Sequence, residues 1–146
     1  MPSLTFTGLQ KLQVTTNAYT YSDLHLDFSN PISRDLRADF DESAIRNSIL
    51  NLFNTTPGQN LLNPIYGLNL TKYLFEPLDE STGRLIGNDI VNGVSLFEPR
   101  VTVANVTIEL NEEEQTYYIL LNIEIPALNT TIRLPGTLDK TGFTLT

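Results

Sequence analysis

The chain predicts an α+β domain in which two main helices pack on a small mixed or antiparallel sheet, preceded by an extended N-terminal arm. Three observations lead there. Apolar residues recur at three- and four-residue spacings in two stretches, one after Asp41 and one from about Ser81 to Phe97. From Val101 onward an alternating pattern of period two takes over. Residues 1–22 fit neither period. At 146 residues the chain is long enough for one core without covalent staples. We therefore divide it into an arm, 1–22, and a single domain, 23–146.

The arm is polar and Thr-rich, with Leu4, Phe6, Leu9, Leu12 and Val14 spread through it. Next, Leu24, Leu26 and Phe28 alternate with His25 and Asp27, the mark of a short half-buried strand that Asn30-Pro31 stops. After Asp41, residues Ala44, Ile45, Ile49, Leu52 and Phe53 share one helical face, with acids in the first turn and Thr56-Pro57-Gly58 as the stop. The stretch Leu61-Leu62-Asn63-Pro64-Ile65-Tyr66-Gly67 reads as a buried turn anchored by its apolar side chains. Leu70, Tyr73, Leu74 and Phe75 predict one or two helical turns before Pro77.

In the second long helix Ile86, Ile90, Val94 and Phe97 line one side, beside Leu85. Gly83, Gly87 and Gly93 weaken it, each by up to ~1 kcal/mol relative to alanine. Either neighbouring backbone packs closely there, or the helix is firm only in an assembly. In the β region Val101 and Val103 share one phase while Val106, Ile108 and Leu110 take the other, so a bulge is expected near Ala104-Asn105. Residues 111–115 form a polar turn. Tyr117 to Ile125, apolar at every odd position, predicts a central strand, with Thr130–Leu134 a third strand and Gly142–Thr146 a short fourth.

Seventeen acidic and nine basic residues give a net charge of −8, with no basic cluster, which argues against nucleic acid or an anionic membrane as partner. The opening residues lack the basic start and apolar run of a secretory signal, and no apolar segment reaches the ~20 residues that span a bilayer. Cysteine is absent, which excludes disulfides and thiolate chemistry. The single histidine, His25, lies between Asp23 and Asp27 and reads as a surface residue. Asp79-Glu80-Ser81-Thr82-Gly83 lacks the alternating ligands of a calcium loop and reads as a helix N-cap. No metal or cofactor is implied. Paired carboxylates are the one catalytic option left open, with Glu98 after Phe97 and Glu76 after Phe75 as candidates for a hydrolase that would need one raised pKa.

Leu96-Phe97-Glu98-Pro99-Arg100 joins the two halves. Proline blocks the helix and pushes Glu98 into an extended conformation. A carboxylate at this end of a helix opposes the dipole by roughly 0.3–1 kcal/mol when exposed. Arg100 is placed to offset that locally, or both charges face a partner. A second Leu-Phe-Glu-Pro at 74–77 suggests a shared device for stopping helices.

In their order and spacing, several motifs resemble the small baseplate wedge protein family of contractile-tailed bacteriophages, also labelled lysozyme-like and related to a type VI secretion baseplate component. They are Asp23-Leu24-His25-Leu26-Asp27-Phe28, Ala44-Ile45-Arg46-Asn47-Ser48-Ile49, Pro57-Gly58 with Asn63-Pro64-Ile65-Tyr66-Gly67, Leu74-Phe75-Glu76-Pro77, and Glu98-Pro99-Arg100. Gln59 and Asn60 stand where relatives often carry an acidic-basic pair. The resemblance implies a structural, non-enzymatic component of the virion tail baseplate, assembled in the host cytoplasm. It implies that Glu98, Pro99 and Arg100 bind a helical core bundle of other wedge proteins, and that the sheet templates the first ring of the tail sheath by strand addition. The alternative it leaves is a muramidase-like hydrolase.

Overall fold

A computed structural model describes residues 19–24 and 38–145. Two short strands, β1 (Ser22–Leu24) and β2 (Ala38–Phe40), form an antiparallel pair of their own. Helix α1 (Asp41–Asn54) follows directly, then a 3-10 helix (Leu70–Phe75) and helix α2 (Glu80–Phe97). Strands β3 (Thr102–Asn111), β4 (Thr116–Ile125), β5 (Thr130–Asp139) and β6 (Gly142–Leu145) make an antiparallel meander in sequence order. Of the two sheet types expected, the antiparallel one is found.

Helix α1 buries the face read from its spacing, Ala44, Ile45, Ile49, Leu52 and Phe53. Its start is built differently from a side-chain cap. Asp41 has φ +48° and its carboxylate accepts the N–H groups of Thr20 and Tyr21, while the Ser43 hydroxyl bonds both the N–H and the carbonyl of Phe40. Tyr19 stacks on Phe40 with ring centroids 3.8 Å apart. Residues 19–21 are thereby tied to the start of α1, and residues 1–18 lie outside the described residues.

Helix α2 begins at an Asp79 N-cap, whose carboxylate accepts the Thr82 N–H at 2.7 Å. It buries Ile86, Ile90 and Val94 completely. Both Leu-Phe-Glu-Pro segments do end helices: the glutamate is the C-cap each time, its N–H bonding back to Tyr73 in the first and Val94 in the second. Tyr117, Ile119, Leu121, Ile123 and Ile125 of β4 are all buried, and with α1, α2 and the 3-10 helix above them they form the core. The expected bulge appears as a register shift between Val103 and Asn105.

Two expectations need correction, and a third is described only in part. Leu61, Leu62 and Ile65 are not anchors of a buried turn; they are 93%, 98% and 69% exposed. Hydrogen bonds hold that loop instead, from Gly58 N–H to the Pro64 carbonyl and from Leu68 N–H to the Leu52 and Thr55 carbonyls, together with Gly67. Gly67 sits at φ +121°, where a Cβ would lie 2.1 Å from the Thr55 carbonyl oxygen. Second, β5 does not stop at Leu134 but runs through Pro135 to Asp139. Pro135 lies within the ladder, opposite Leu120 of β4. Third, the strand read at Leu24–Phe28 is described only as Ser22–Leu24, with Leu24 exposed; His25, Leu26 and Phe28 lie outside the described residues, and its partner β2 went unread.

Candidate functional site

The last turn of α2 delivers Glu98 to a position only 3% exposed, where Pro99 turns the chain toward β3. A carboxylate is costly to bury unless its oxygens are bonded, and here both are. The Ser48 hydroxyl on α1 donates to Oε2 at 2.5 Å. Arg100 donates Nε to Oε1 at 2.6 Å and Nη2 to Oε2 at 2.8 Å, a two-pronged fork. The same guanidinium reaches β1, with Nη1 3.1 Å from Asp23 Oδ1 and Nη2 2.9 Å from Oδ2, and lies over the Tyr21 ring, 5.4 Å from its centroid. One cation thus ties the end of α2, the start of β3 and the β1 strand together, and Glu98 adds α1 through Ser48.

Burial pushes the Glu98 carboxyl up, but the Arg100 and Ser48 hydrogen bonds and the guanidinium charge outweigh it and hold it below the usual carboxylate range. Arg100 is driven further into its charged form, chiefly by the Glu98 bonds. Tyr66 packs edge-on to Phe97 at 5.3 Å, and its hydroxyl is pushed up by burial and then by the Glu98 charge. Of the two readings of Arg100, the local one is seen: its fork is filled from within the chain by Glu98 and Asp23. What remains outward is exposed Pro99 and the outer edge of the Arg100 side chain, about a quarter of it.

This geometry does not make a general acid. Glu98 is held ionised with both oxygens occupied, the reverse of a carboxyl kept protonated by apolar surroundings. Glu76 has no apolar enclosure either, because Phe75 beside it is 92% exposed. Among the described residues no group of three or more His, Cys, Asp or Glu side chains is placed to hold a metal ion, and no helix is long and apolar enough to cross a membrane.

Two polar clusters carry structural weight that the sequence did not announce. Asp89 on α2 accepts the Tyr73 hydroxyl at 2.8 Å and the Lys72 ammonium at 2.6 Å, clipping the 3-10 helix to α2. The Tyr117 hydroxyl on β4 accepts the Asp79 N–H at 3.0 Å and donates toward the Asp79 carbonyl at 3.1 Å, fixing where α2 starts. Ser48 and Asp23 lie 50 and 77 residues from their partners at the corner, so no local pattern pairs them.

Residues 40–131 match the family described as baseplate wedge protein gp25. A curated relative, the baseplate wedge protein gp25 of Enterobacteria phage T4, is 27% identical over 81 residues, which is 56% of this chain and 61% of that one. The chain thus matches about three-fifths of the length of that relative. Among solved structures, a protein called a tail lysozyme from Geobacter sulfurreducens is 26% identical, with a TM-score of 0.56 over 62% of this chain and 83% of that one. A chain in the cryo-EM structure of the anti-feeding prophage baseplate is 21% identical, with a TM-score of 0.63 over 71% of this chain and 86% of that one; it shares the fold.

Proposed function

Because the chain belongs to the baseplate wedge protein gp25 family, we propose that it is a structural component of the virion tail baseplate. In this reading it is held by other wedge proteins at the Glu98-Pro99-Arg100 corner, and an open edge of its sheet receives a strand from the tail sheath to start the first ring. It has no turnover of its own.

The family match carries this reading, and the corner supports it. Four segments converge on one ion-paired group, so the exposed Pro99 and Arg100 edge is presented in one fixed orientation. A preorganised corner loses little freedom on docking. The four-stranded sheet also has two flanks, β3 and β6, without a described partner strand, as strand addition requires.

Pro99→Asp tests the docking half. Pro99 is exposed, so the variant is expected to melt as the wild type does and yet drop out of wedges assembled from the purified wedge proteins. Normal incorporation would remove the corner from the docking surface. For the templating half, particles lacking this chain are expected to carry baseplates without sheath; normal contractile tails without it would end the reading.

A further inference from the structure

The Arg100 guanidinium serves two carboxylates that differ in kind. Glu98 is buried with both oxygens bonded, and it joins α2 to α1 through Ser48. Asp23 takes the other edge of the same guanidinium, from Nη1 at 3.1 Å and Nη2 at 2.9 Å, with its side chain 38% exposed. A pair this open to solvent contributes far less than a buried one. The inner carboxylate belongs to the fold, and the outer one is replaceable.

Little else holds β1 among the described residues. It has three residues, pairs with the equally short β2, and stands apart from the four-stranded sheet. A two-stranded ribbon of this size is marginal in water. Ser22 and Leu24 are exposed. Asp23 also faces Asp39 directly across the ladder, so two carboxylates oppose each other there. Asp39 is buried and bonded to α1 through the Asn47 amide at 2.6 Å. The residues just before β1 are pinned instead. Asp41 accepts the N–H groups of Thr20 and Tyr21 on its carboxylate and donates its own N–H to the Tyr21 carbonyl at 3.0 Å. β1 is thus a weakly held strip with one fixed end.

The strip also walls a groove of about 410 Å³, lined by Asp23 and Leu24 of β1, by Asn47, Ser48 and Asn51 of α1, and by Tyr66. Apart from Asp23 the lining carries no charge. We propose that β1 is a strap: Asp23 stands in for a carboxylate of a partner wedge protein, and docking draws β1 off Arg100 so that this carboxylate takes its place. The proposal rests on the corner-docking reading above and adds the step that admits the partner. Glu98 and Ser48 stay, so the guanidinium keeps its orientation while one edge changes hands. An acid suits the vacated edge because a guanidinium meets a carboxylate with two parallel N–H bonds. A basic side chain would instead need Asp23 to remain.

The test measures the affinity of the full chain for the purified wedge proteins of the same particle. Asp23→Ala frees the strap and is expected to tighten binding by up to about fivefold. The chain has no cysteine, so Leu24→Cys with Ala38→Cys gives one defined disulfide across the β1–β2 pair, between positions within disulfide reach. Oxidised, this variant is expected to bind at least about tenfold more weakly than the wild type; reduced, it is expected to match it. Amides of residues 22–24 should exchange faster in the wild-type complex, and slower exchange there would overturn the strap. Weaker binding by Asp23→Ala, with its melting temperature kept, would place Asp23 in the contact surface facing a base and overturn it as well. Should that variant melt far lower, the oxidised and reduced forms decide: equal binding by the two ends the strap and leaves corner docking standing. Absence of any wild-type binding would overturn both.

Discussion

Arg100 keeps Glu98 charged in a place that would otherwise protonate it, and the consequence is measurable. Removing one partner of a buried pair typically costs about 3–5 kcal/mol. Arg100 keeps a quarter of its side chain in solvent, so Arg100→Ala should cost about 3 kcal/mol at pH 7 and leave a weakened but folded domain. Urea titration checks this, and a loss below about 0.5 kcal/mol would show that the fork does little for folding. The acid dependence follows from the direction of the Glu98 shift. Its folded value lies below its unfolded one, so its stabilisation is complete above the unfolded value of about 4.3 and fades as pH falls through the folded value. The stability gap between wild type and Glu98→Gln, wide at pH 7, is therefore expected to close as the pH drops below about 4. A gap independent of pH would assign the effect to shape instead of charge. Glu98 and Arg100 could be singled out from sequence because a carboxylate beside a helix-stopping proline is locally awkward. Their partners Ser48 and Asp23 could not, since only the folded chain brings them near.

At the scale of elements, α2 carries glycines of two kinds. A Cβ on Gly93 would fall 2.3 Å from Leu68 Cδ2, and the Leu68 backbone is pinned by its bonds to Leu52 and Thr55. Gly93→Ala should therefore lose about 1–3 kcal/mol through overpacking. Gly87→Ala should gain up to about 1 kcal/mol from helix propensity. Opposite shifts of melting temperature in one helix would confirm the division, and a gain at Gly93 would refute it. Sequence periodicity found the helices because each presents one continuous apolar face, and it found β4 because alternate residues go to the core. It missed β2, where three residues are too few to show a period. It also ended β5 at Leu134, before Pro135, because whether a proline can sit in a strand depends on the neighbouring strand, which no local window contains.

Over the whole molecule, apolar side chains divide between a core and a set left in water, and composition does not say which is which. Leu61, Leu62 and Ile65 looked like anchors because large apolar residues between turn formers usually point inward. In the structure the loop is secured by main-chain bonds and by Gly67, so its apolar side chains are free to face solvent. From residue 47 to residue 71 the chain has no charged side chain, in a molecule whose net charge is otherwise its main defence against self-association. Exposed apolar side chains on such a segment should add nothing to folding and should promote contact with other molecules. The double variant Leu61→Ser, Leu62→Ser is therefore expected to keep its stability within about 0.5 kcal/mol of wild type and to self-associate less at high concentration. Light scattering and thermal melts read the two effects separately. A loss of several kcal/mol would return these leucines to the core, whereas unchanged stability with reduced association would establish that the loop is held by its backbone and that its side chains are available outside the domain.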